Sequence, residues 1–585
     1  ATKALEYPAA RTDATIDSRA GIDFPDPYRW LEAEDDEVRD WQRAQGQLAA
    51  AYVRRWPHFE ALRARVAHYL PARFGNVPRF SAGQWFRSEI PEGGTQACAL
   101  VADTPFGPGR VLFDPASENP ERPPFLSWIV PSPDGSVLAL GVCADGSENN
   151  TIRLIDVASG KLLPGAPEQT LMDNWTGGAT WLPDSSGFYF LAVNVSDAIQ
   201  AIHLHDMATG TQTLADIPFQ RPDYTMVSIS TDGRHAVAQS GVMTPLPVAL
   251  RDLREEGWRP FVTGVAGTVA GHLIGDRYVA VTDVGAPRGR VVGIPIDSKT
   301  PNDPATWEEI VPESDAVIRT LTPVGDHLYL SEFVDTYAHL RIVASNGREI
   351  GEVPLPDRGA IAELPFPLMN LTARGHPEEF LFAFSSLTAS WGVYRHRPGE
   401  DSLETLTAPD IRLESAVVED HWATSADGTQ IPYHVVRLPD AKAGAALIYA
   451  YGGFNAPWVP QFPSNGMAAI VEAGGLFVHA HLRGGAEFGL EWWEGGRLQN
   501  KQNCYADLYA IAEDLIARGV TIRERLAVTG GSNGGLMAGV AITQRPDLWK
   551  AVVPRVPFLD AIGGMREPYG YVTSKLEFGD PEDPD

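Results

Sequence analysis

The sequence has 585 residues, of which 44% are hydrophobic and 21% charged, and its formal net charge is −28. This composition is typical of a globular protein with sizeable cores and excludes a mainly disordered chain. The acidic excess argues against nucleic-acid and anionic-membrane partners, because both bind basic surfaces. The sequence also lacks an apolar run near the roughly 18 residues that a membrane span requires.

The cysteines and the N-terminus give weak indications of compartment. Cys98, Cys143 and Cys504 are far apart in the sequence. Such an odd and sparse set predicts neither a disulfide framework nor a metal site. The chain starts at Ala1 without the charged and apolar segments of a signal peptide. We expect a cytoplasmic protein, and the alternative is a processed periplasmic one.

Residues 1–71 are predicted to form a helical segment that packs on the C-terminal domain. Asp35, Asp36 and Glu37 place acids at a helix N-terminus, and apolar side chains follow at helical spacing. Pro57 would end this helix, and Phe59–Tyr69 is predicted to be a second one.

Residues 72–415 contain short alternating strands separated by turn sequences that recur at a nearly constant interval. Five turns begin 50, 48, 44 and 50 residues apart, at Pro133, Pro183, Thr231, Gly275 and Gly325. A second series of hairpin turns, at Asp156 and Asp206, is also 50 residues apart. The same period reaches back to Ala82-Gly83-Gln84 and forward to Arg374-Gly375-His376.

A period of 40–50 residues with four strands per unit is typical of a β-propeller. The extended series gives seven units, so we predict a seven-bladed β-propeller. The alternative is a β-sandwich with coincidental turns.

Residues 416–585 alternate strands with helices, which predicts a parallel sheet covered by helices. The predicted strands and helices, in chain order, are Ala446–Tyr451, Ser464–Ala473, Leu476–His481, Tyr505–Arg518, Leu526–Thr529 and Leu536–Thr543.

Between the last strand and the last helix stands Gly530-Gly531-Ser532-Asn533-Gly534-Gly535. This is a G-x-S-x-G nucleophile elbow in its expected strand–turn–helix context. Glycines are needed there because the serine sits in a strained turn and neighbouring backbones approach closely. The helix N-terminus would stabilise a developing oxyanion, and the Asn533 N–H would be one donor. The alternative is a Gly-rich connection with an idle serine.

Several motifs along the whole chain resemble those of the prolyl oligopeptidase family. They are Asp26–Glu32 (DPYRWLE), Tyr451–Asn455 (YGGFN), Arg483–Gly489 (RGGAEFG), Asn500–Cys504 (NKQNC) and Gly530–Leu536 (GGSNGGL). The resemblance implies a serine peptidase in which a seven-bladed propeller caps an α/β-hydrolase domain. It further implies that Ser532 is the nucleophile, that the Tyr451 hydroxyl is the second oxyanion donor, and that Phe454 lines the substrate pocket. The alternative for Tyr451 is a core aromatic that covers the sheet.

Other polar residues near the predicted site are assigned structural roles. Arg483, Glu487 and Asp507 are expected to form an ion-pair network that braces the loops. We also expect a structural role for His434, His479 and His481, which all precede the serine.

The catalytic triad is not complete in this sequence. In α/β-hydrolases the triad follows the order Ser, Asp or Glu, His, yet none of the 53 residues after Ser532 is histidine. At about 30 residues per βαβ unit, the remaining sheet edge needs on the order of 100 further residues. We therefore expect a truncated catalytic domain, with the triad acid and histidine outside this sequence.

The predicted function is a serine peptidase that cleaves short peptides through an acyl-enzyme, without metal or organic cofactor, as a monomer. Two alternatives are an esterase or acyl-peptide hydrolase on the same scaffold and a non-catalytic propeller that binds proteins.

The expected specificity is for proline before the scissile bond, with a relaxed pocket. In prolyl members of the family an indole occupies the position that Ser574 takes here, and in the oligopeptidase B branch a carboxylate does. A hydroxymethyl group offers neither a stacking surface nor a charge. We therefore expect small and apolar residues to be accepted as well as proline.

Overall fold

A computed structural model describes residues 5–70, 76–147, 149–169, 171–172, 178–194, 199–363, 368, 375–464 and 466–583. The predicted domain boundary at 71–72, Arg374 of the last predicted turn, and the final two residues lie outside this set. Within these ranges we find no helix that is both long and apolar enough to cross a membrane.

The N-terminal segment contains the two predicted helices, Asp36–Arg54 and Phe59–Tyr69, and both predictions are confirmed. The Asp35 side chain caps the first helix by accepting the Val38 N–H at 3.0 Å. A hairpin of Ile16–Arg19 and Ile22–Pro25 precedes the helices. Its strands have four residues each, too few for periodicity to reveal them.

Seven antiparallel sheets of four strands follow in the described part of the chain, and each comes from one continuous stretch. Their strands, from blade 1 to blade 7, are Arg79–Ser81, Gln84–Glu89, Cys98–Ala102 and Gly109–Phe113; Phe125–Pro131, Val137–Cys143, Asn149–Asp156 and Lys161–Leu162; Thr180–Trp181, Gly187–Asn194, Ile199–Asp206 and Gln212–Leu214; Thr225–Ile229, His235–Ser240, Leu246–Asp252 and Arg259–Pro260; Val269–Ile274, Arg277–Thr282, Arg290–Pro295 and Glu308–Val311; Val317–Val324, His327–Val334, Tyr337–Ala344 and Glu349–Glu352; and Ala360–Ile361, Phe380–Ser386, Ala389–His396 and Glu404–Thr407. A short strand, Leu171–Met172, also pairs with blade 2. The predicted seven-bladed propeller is confirmed.

Three of the recurring turns, in blades 2, 3 and 4, join the first two strands of their blade through a local hydrogen bond. The side chains of Asp134, Asp184 and Asp232 each accept the backbone N–H of the residue two positions later at 3.0 Å. Gly135 and Gly233 follow with φ of 69° and 72°, a conformation that glycine adopts without strain. In these three turns, the aspartate of the repeated sequence closes the turn with its own side chain.

The ring closes by contacts between the first and last blades. The Phe80 N–H donates to the Gly375 carbonyl at 2.7 Å. The His376 ring lies 4.4 Å from Phe80 and 5.6 Å from Trp85, measured between centroids. Aromatic packing and a backbone hydrogen bond thus join the two ends of the propeller.

The C-terminal domain is built on a six-stranded mixed sheet among the described residues. Its strands, in spatial order, are Val417–Thr424, Gln430–Arg437, Leu476–Ala480, Ala446–Tyr449, Leu526–Gly531 and Ala551–Arg555. The last four are parallel, but the first two form an antiparallel hairpin. The prediction of a parallel sheet is wrong for this hairpin, since a connection of five residues can join only antiparallel strands. The α/β-hydrolase class is confirmed.

The helices of this domain are Ala468–Glu472, Leu490–Glu494, Lys501–Ala517, Asn533–Gln544, Ala561–Gly564 and Pro568–Phe578. Several predicted bounds are wrong. The strand from Ala446 ends at Tyr449, two residues early, and the helix predicted from Leu536 begins at Asn533. The helix predicted from Tyr505 begins at Lys501, and the one predicted over Ser464–Ala473 is shorter. Element ends depend on tertiary hydrogen bonds that periodicity does not report.

The three segments contact one another directly. The Leu490 N–H donates to Pro287 of blade 5 at 2.8 Å, and the Phe462 N–H donates to the Ser385 hydroxyl of blade 7 at 3.0 Å. Asp17 of the N-terminal segment pairs with Arg566 at 2.6 Å. The propeller and the N-terminal segment therefore both pack on the C-terminal domain.

Candidate active site

Ser532 occupies the sharp turn between the strand Leu526–Gly531 and the helix Asn533–Gln544. Its backbone has φ of 55° and ψ of −117°, a conformation that costs a non-glycine residue energy. Its N–H donates to the Arg555 carbonyl at 3.0 Å, which fixes the turn against the next strand. Ser532 is exposed, so the turn presents its hydroxyl to incoming molecules.

Close neighbours exclude a side chain at three of the four glycines of the elbow, Gly530, Gly534 and Gly535. A Cβ on Gly530 would lie 2.5 Å from the Gly534 carbonyl oxygen, and one on Gly534 would lie 2.6 Å from the Ala450 oxygen. A Cβ on Gly531 would lie 3.9 Å from its nearest neighbours, the side chain and the carbonyl oxygen of Arg555. The motif thus reflects close approach of the helix to the residues after the strand Ala446–Tyr449.

Tyr451 lies two residues beyond the end of that strand, beside the elbow. Its phenol lies beside the Ser532 side chain. Burial raises the pKa of the Tyr451 phenol to about 12, and the neighbouring Ser532 side chain partly offsets this effect, so the hydroxyl remains a proton donor at neutral pH. The ring stacks on Trp458, with centroids 5.4 Å apart and planes 13° apart. The structure thus brings this predicted oxyanion donor to the predicted nucleophile.

Asn533 contributes both its backbone and its side chain to the same place. It begins the helix, where backbone N–H groups have no intrahelical acceptor and carry the positive end of the helix dipole. Its side-chain Nδ2 donates to the Tyr451 carbonyl at 2.8 Å, and the residue is 2% exposed. The side chain therefore ties the elbow to the loop that carries Tyr451, a role that the motif alone does not indicate.

Aromatic side chains lie on the loop and helix next to the elbow. The Phe454 ring packs edge-on against Phe578 at 5.6 Å, and Phe558 stacks on Phe578 at 5.5 Å. Ser574 lies one helical turn before Phe578, on the same face of the helix Pro568–Phe578, and it is buried. Sequence reasoning selected Phe454 and Ser574 but missed Phe558 and Phe578, which no spacing rule connects.

A buried ion pair lies under the Tyr451–Asn455 loop. Glu577 is 0% exposed and accepts a hydrogen bond from Lys501 Nζ at 2.7 Å. The Lys501 ammonium also donates to the Gly452 carbonyl at 3.0 Å. Lys501 belongs to the NKQN motif noted in the sequence, whereas Glu577 was not singled out.

The other charged residues near the elbow form two separate clusters. Arg483 pairs with Asp507 at 2.6 Å and also with Asp427, and Asp507 accepts the Ser425 hydroxyl. The expectation that Glu487 shares this network is wrong, since its partners are the Trp458 N–H at 3.0 Å and His481 at 3.3 Å. Burial raises the pKa of Glu487 to about 8.

His434, His479 and His481 are buried together in this second cluster. Burial lowers the pKa of His479 to about 3 and holds that of His481 well below its usual range. His434 bonds Asp420 at 2.8 Å and blade-6 Thr336 at 3.1 Å, so it joins the two domains. These contacts are those of structural histidines.

Within the described ranges, one acidic group is close enough to share a cation. Oxygens of Asp26, Glu32 and Asp560 lie within 4.8 Å of one another. Arg29 pairs with Asp26 at 2.6 Å, and Arg566 pairs with Glu32 at 2.6 Å. These arginines already balance two of the three charges, and the group includes none of the elbow residues.

Comparisons with known proteins cover nearly the whole chain. The family description "Prolyl oligopeptidase, N-terminal beta-propeller domain" matches residues 7–409, and "Prolyl oligopeptidase family" matches residues 460–585. A prolyl endopeptidase of Elizabethkingia miricola is 25% identical over 586 aligned residues, which cover 96% of this chain and 80% of that protein. An uncharacterized peptidase, y4nA of Sinorhizobium fredii, is 33% identical over 48% of this chain and 39% of its own length.

A solved structure gives the same result. One structure comes from a study of two prolyl endopeptidases and the role of inter-domain dynamics. It superposes on this chain with a TM-score of 0.86 at 30% sequence identity, and the match covers 99% of this chain and 86% of that structure's chain. The prolyl oligopeptidase B of Galerina marginata has the same fold, with a TM-score of 0.84 at 22% identity over 99% of this chain and 86% of its own. With its propeller, its hydrolase sheet and its serine elbow, the chain belongs to the prolyl oligopeptidase family of serine peptidases.

Proposed function

We propose that the protein cleaves peptides by two-step acyl transfer at Ser532. The Ser532 oxygen attacks the peptide carbonyl, and the Tyr451 hydroxyl and the Asn533 N–H stabilise the resulting oxyanion. The amine leaves with a proton, and water then hydrolyses the acyl-enzyme. The observation that carries this proposal is an exposed serine held at φ of 55° beside the Tyr451 phenol.

We propose that the general base is a histidine outside this sequence, together with the acid that orients it. No histidine follows Ser532 in this sequence. The buried rings of His434, His479 and His481 are hydrogen-bonded to groups other than Ser532. The Elizabethkingia relative is longer than this chain, which spans 80% of it. The experiments below therefore use the full-length protein.

Replacement of the serine tests the proposal. Ser532→Ala should lower kcat on a chromogenic peptide by several orders of magnitude and leave the melting temperature nearly unchanged, since an exposed hydroxyl adds little stability. Ser186→Ala, in an exposed turn of blade 3, is the matched control and should retain full activity. An alanine variant at 532 that keeps a tenth of the rate would refute the proposed nucleophile.

We further propose that the residue before the scissile bond binds against the Phe454, Phe558 and Phe578 rings. The segment that carries Phe558 runs beside the elbow, because a Cβ on Gly535 would lie 2.7 Å from the Pro557 Cα. Three phenyl rings favour proline and other apolar residues. Ser574 adds neither an indole nor a carboxylate. We therefore expect the preference for proline to be about three- to tenfold weaker than in a pocket that contains an indole.

A peptide series varied only at that residue measures the preference. We expect kcat/KM to be highest for proline, with alanine and other small or apolar residues within a hundredfold. A larger advantage for proline would refute the relaxed pocket, and a preference for arginine would place the protein in the oligopeptidase B branch.

Access through the domain interface would select substrates by size. Phe454 packs against an apolar cluster that combines residues of blades 3 to 5 with Trp493, and the neighbouring Asn455 donates to the Met243 carbonyl of blade 4 at 3.5 Å. We propose that the propeller covers the pocket and that substrates enter when the two domains separate. Short peptides should be cleaved and folded proteins should not. Efficient digestion of folded proteins would contradict this proposal.

A further inference from the structure

The loop Tyr451–Asn455 carries two of the proposed functional groups and has an unusual backbone. Phe454 and Asn455 have φ of 61° and 54°, in the left-handed region that side-chain-bearing residues seldom adopt. Such a conformation persists only where surrounding contacts enforce it. The position of the Tyr451 hydroxyl and the Phe454 ring therefore depends on what holds this loop.

Three side chains from three different helices hold the loop by its backbone. Asn533 Nδ2 donates to the Tyr451 carbonyl at 2.8 Å, and Lys501 Nζ donates to the Gly452 carbonyl at 3.0 Å. The Glu577 Oε2 atom accepts the Phe454 N–H at 2.8 Å. The three successive peptide groups between Tyr451 and Phe454 are thus each bonded to a side chain far away in the sequence.

Glu577 is the centre of this arrangement. Besides the Phe454 N–H it accepts Lys501 Nζ at 2.7 Å and the Trp493 indole N–H at 3.0 Å. The residue is 0% exposed, so its carboxylate depends on these donors in place of water. There is no spare room, because a Cβ on Gly453 would lie 2.8 Å from Glu577 Oε1.

The same residue also connects the loop to the pocket. Glu577 precedes Phe578, whose ring lies 5.6 Å from Phe454. A displaced carboxylate would therefore move the Phe454 backbone and the opposing ring together. Arg497 covers the far side of Trp493 at 4.1 Å, which keeps the indole donor in place.

We propose that Glu577, paired with Lys501, is a positioning residue for catalysis that sets the Tyr451 oxyanion donor and the Phe454 ring without touching substrate. This inference rests on the proposed acyl transfer at Ser532. Glu577→Gln removes the charge that binds Lys501 and replaces an acceptor oxygen by a donor amide. The loop then loses its restraint at Gly452 or at Phe454.

The test compares catalysis with binding in the full-length protein. Glu577→Gln and Lys501→Met should each lower kcat at least tenfold and change KM less than threefold. Both should weaken inhibition by a peptide aldehyde, whose tetrahedral adduct needs the oxyanion donors, by a similar factor. Inhibition by the matching peptide alcohol, which forms no adduct, should change less than threefold. The double variant should be no worse than the worse single variant, because both act through one contact.

Glu332→Gln is the matched control for the loss of a buried ion pair. Glu332 is 2% exposed in blade 6 and bonds Arg341 at 2.9 Å and His339 at 3.0 Å. This variant should lose thermal stability and keep its kcat. If Glu577→Gln does not fold, Lys501→Met carries the test alone, since Lys501 is partly exposed.

The outcomes separate the two proposals. A folded Glu577→Gln or Lys501→Met protein with wild-type kcat and unchanged aldehyde inhibition would overturn the positioning role, while Ser532→Ala stays inactive. Activity that survives in Ser532→Ala would instead overturn the acyl-transfer proposal itself.

Discussion

The propeller and the active-site loop are built by opposite rules. In the propeller, three of the recurring turns are closed by aspartates that bond the residue two positions later, and strands pair with their immediate neighbours. In the loop, the decisive bonds span 82 residues between Asn533 and Tyr451 and 123 between Phe454 and Glu577. The comparison teaches that the scaffold is encoded locally, whereas the site exists only when distant segments are packed together.

This difference predicts how each region responds to a small change. A substitution in a blade should cost stability and leave the catalytic rate of the folded protein unchanged. A substitution that moves the loop by a fraction of an ångström should cost rate, because misplaced catalytic groups lose their alignment with the reacting carbonyl.

The sharpest contrast uses two glycines of the elbow. Gly534→Ala would place a Cβ 2.6 Å from the Ala450 oxygen and 3.4 Å from the Tyr451 Cα, and so displace both the nucleophile turn and the loop. We expect kcat/KM to fall by about a thousandfold. Gly531→Ala, with 3.9 Å of clearance, should stay within about threefold of wild type. Equal losses in the two variants would show that close approach is not what the motif requires.

Removal of the Tyr451 hydroxyl should have the next largest effect. Tyr451→Phe keeps the ring stacked on Trp458 and deletes one oxyanion donor. We expect kcat to fall about a hundredfold with a small change in melting temperature. A variant with wild-type kcat would assign Tyr451 to the structural role considered from the sequence, that of a core aromatic.

A buried hydroxyl in the propeller provides the opposite case. Tyr278 of blade 5 donates to Gln239 at 2.6 Å and accepts the Gly271 N–H at 2.7 Å. Tyr278→Phe leaves both partners unsatisfied and should cost about 2 kcal/mol of stability. Thermal unfolding should show this loss, while kcat below the transition stays at the wild-type value. A lowered kcat would contradict the separation between scaffold and site.

The last expected effect concerns the pH dependence of stability. Burial raises the pKa of Glu487 to about 8, above the ordinary value of 4.5. Between these two pKa values the folded state keeps a proton on Glu487 that the unfolded state has lost. The contribution of Glu487 to the free energy of unfolding therefore falls as pH rises from about 4.5 to about 8. Glu487→Gln mimics the protonated acid, so its melting temperature should fall less between pH 5 and pH 8. Parallel curves for variant and wild type would contradict this assignment.

Sequence alone predicts the scaffold well for a physical reason. Similar turns recur at a nearly fixed interval along the propeller, so repeated copies of a weak local signal reinforce one another. The elbow is also local, because strand, Gly530, Ser532, Gly534 and helix are contiguous. The hairpin strands Val417–Thr424 and Gln430–Arg437 carried no such signal, and their antiparallel pairing was missed.

The remainder of the site could not be predicted because it depends on contacts between distant segments. Glu577 is one acid among 75 acidic residues, and only its burial beside Lys501 and Phe454 distinguishes it. Glu487 lies two residues from a motif glycine, yet its partners are His481 and Trp458, and Arg483 pairs elsewhere. Rings such as Phe558 and Phe578 acquire a role only through their neighbours in the fold.

Covalent labelling tests the central claim most directly. The full-length protein is treated with a fluorophosphonate, and the modified residue is located by mass spectrometry with and without a competing peptide. The account predicts one adduct, on Ser532, that the peptide suppresses and that Ser532→Ala abolishes together with hydrolysis. An active protein that is labelled at another residue, or not labelled at all, would contradict it.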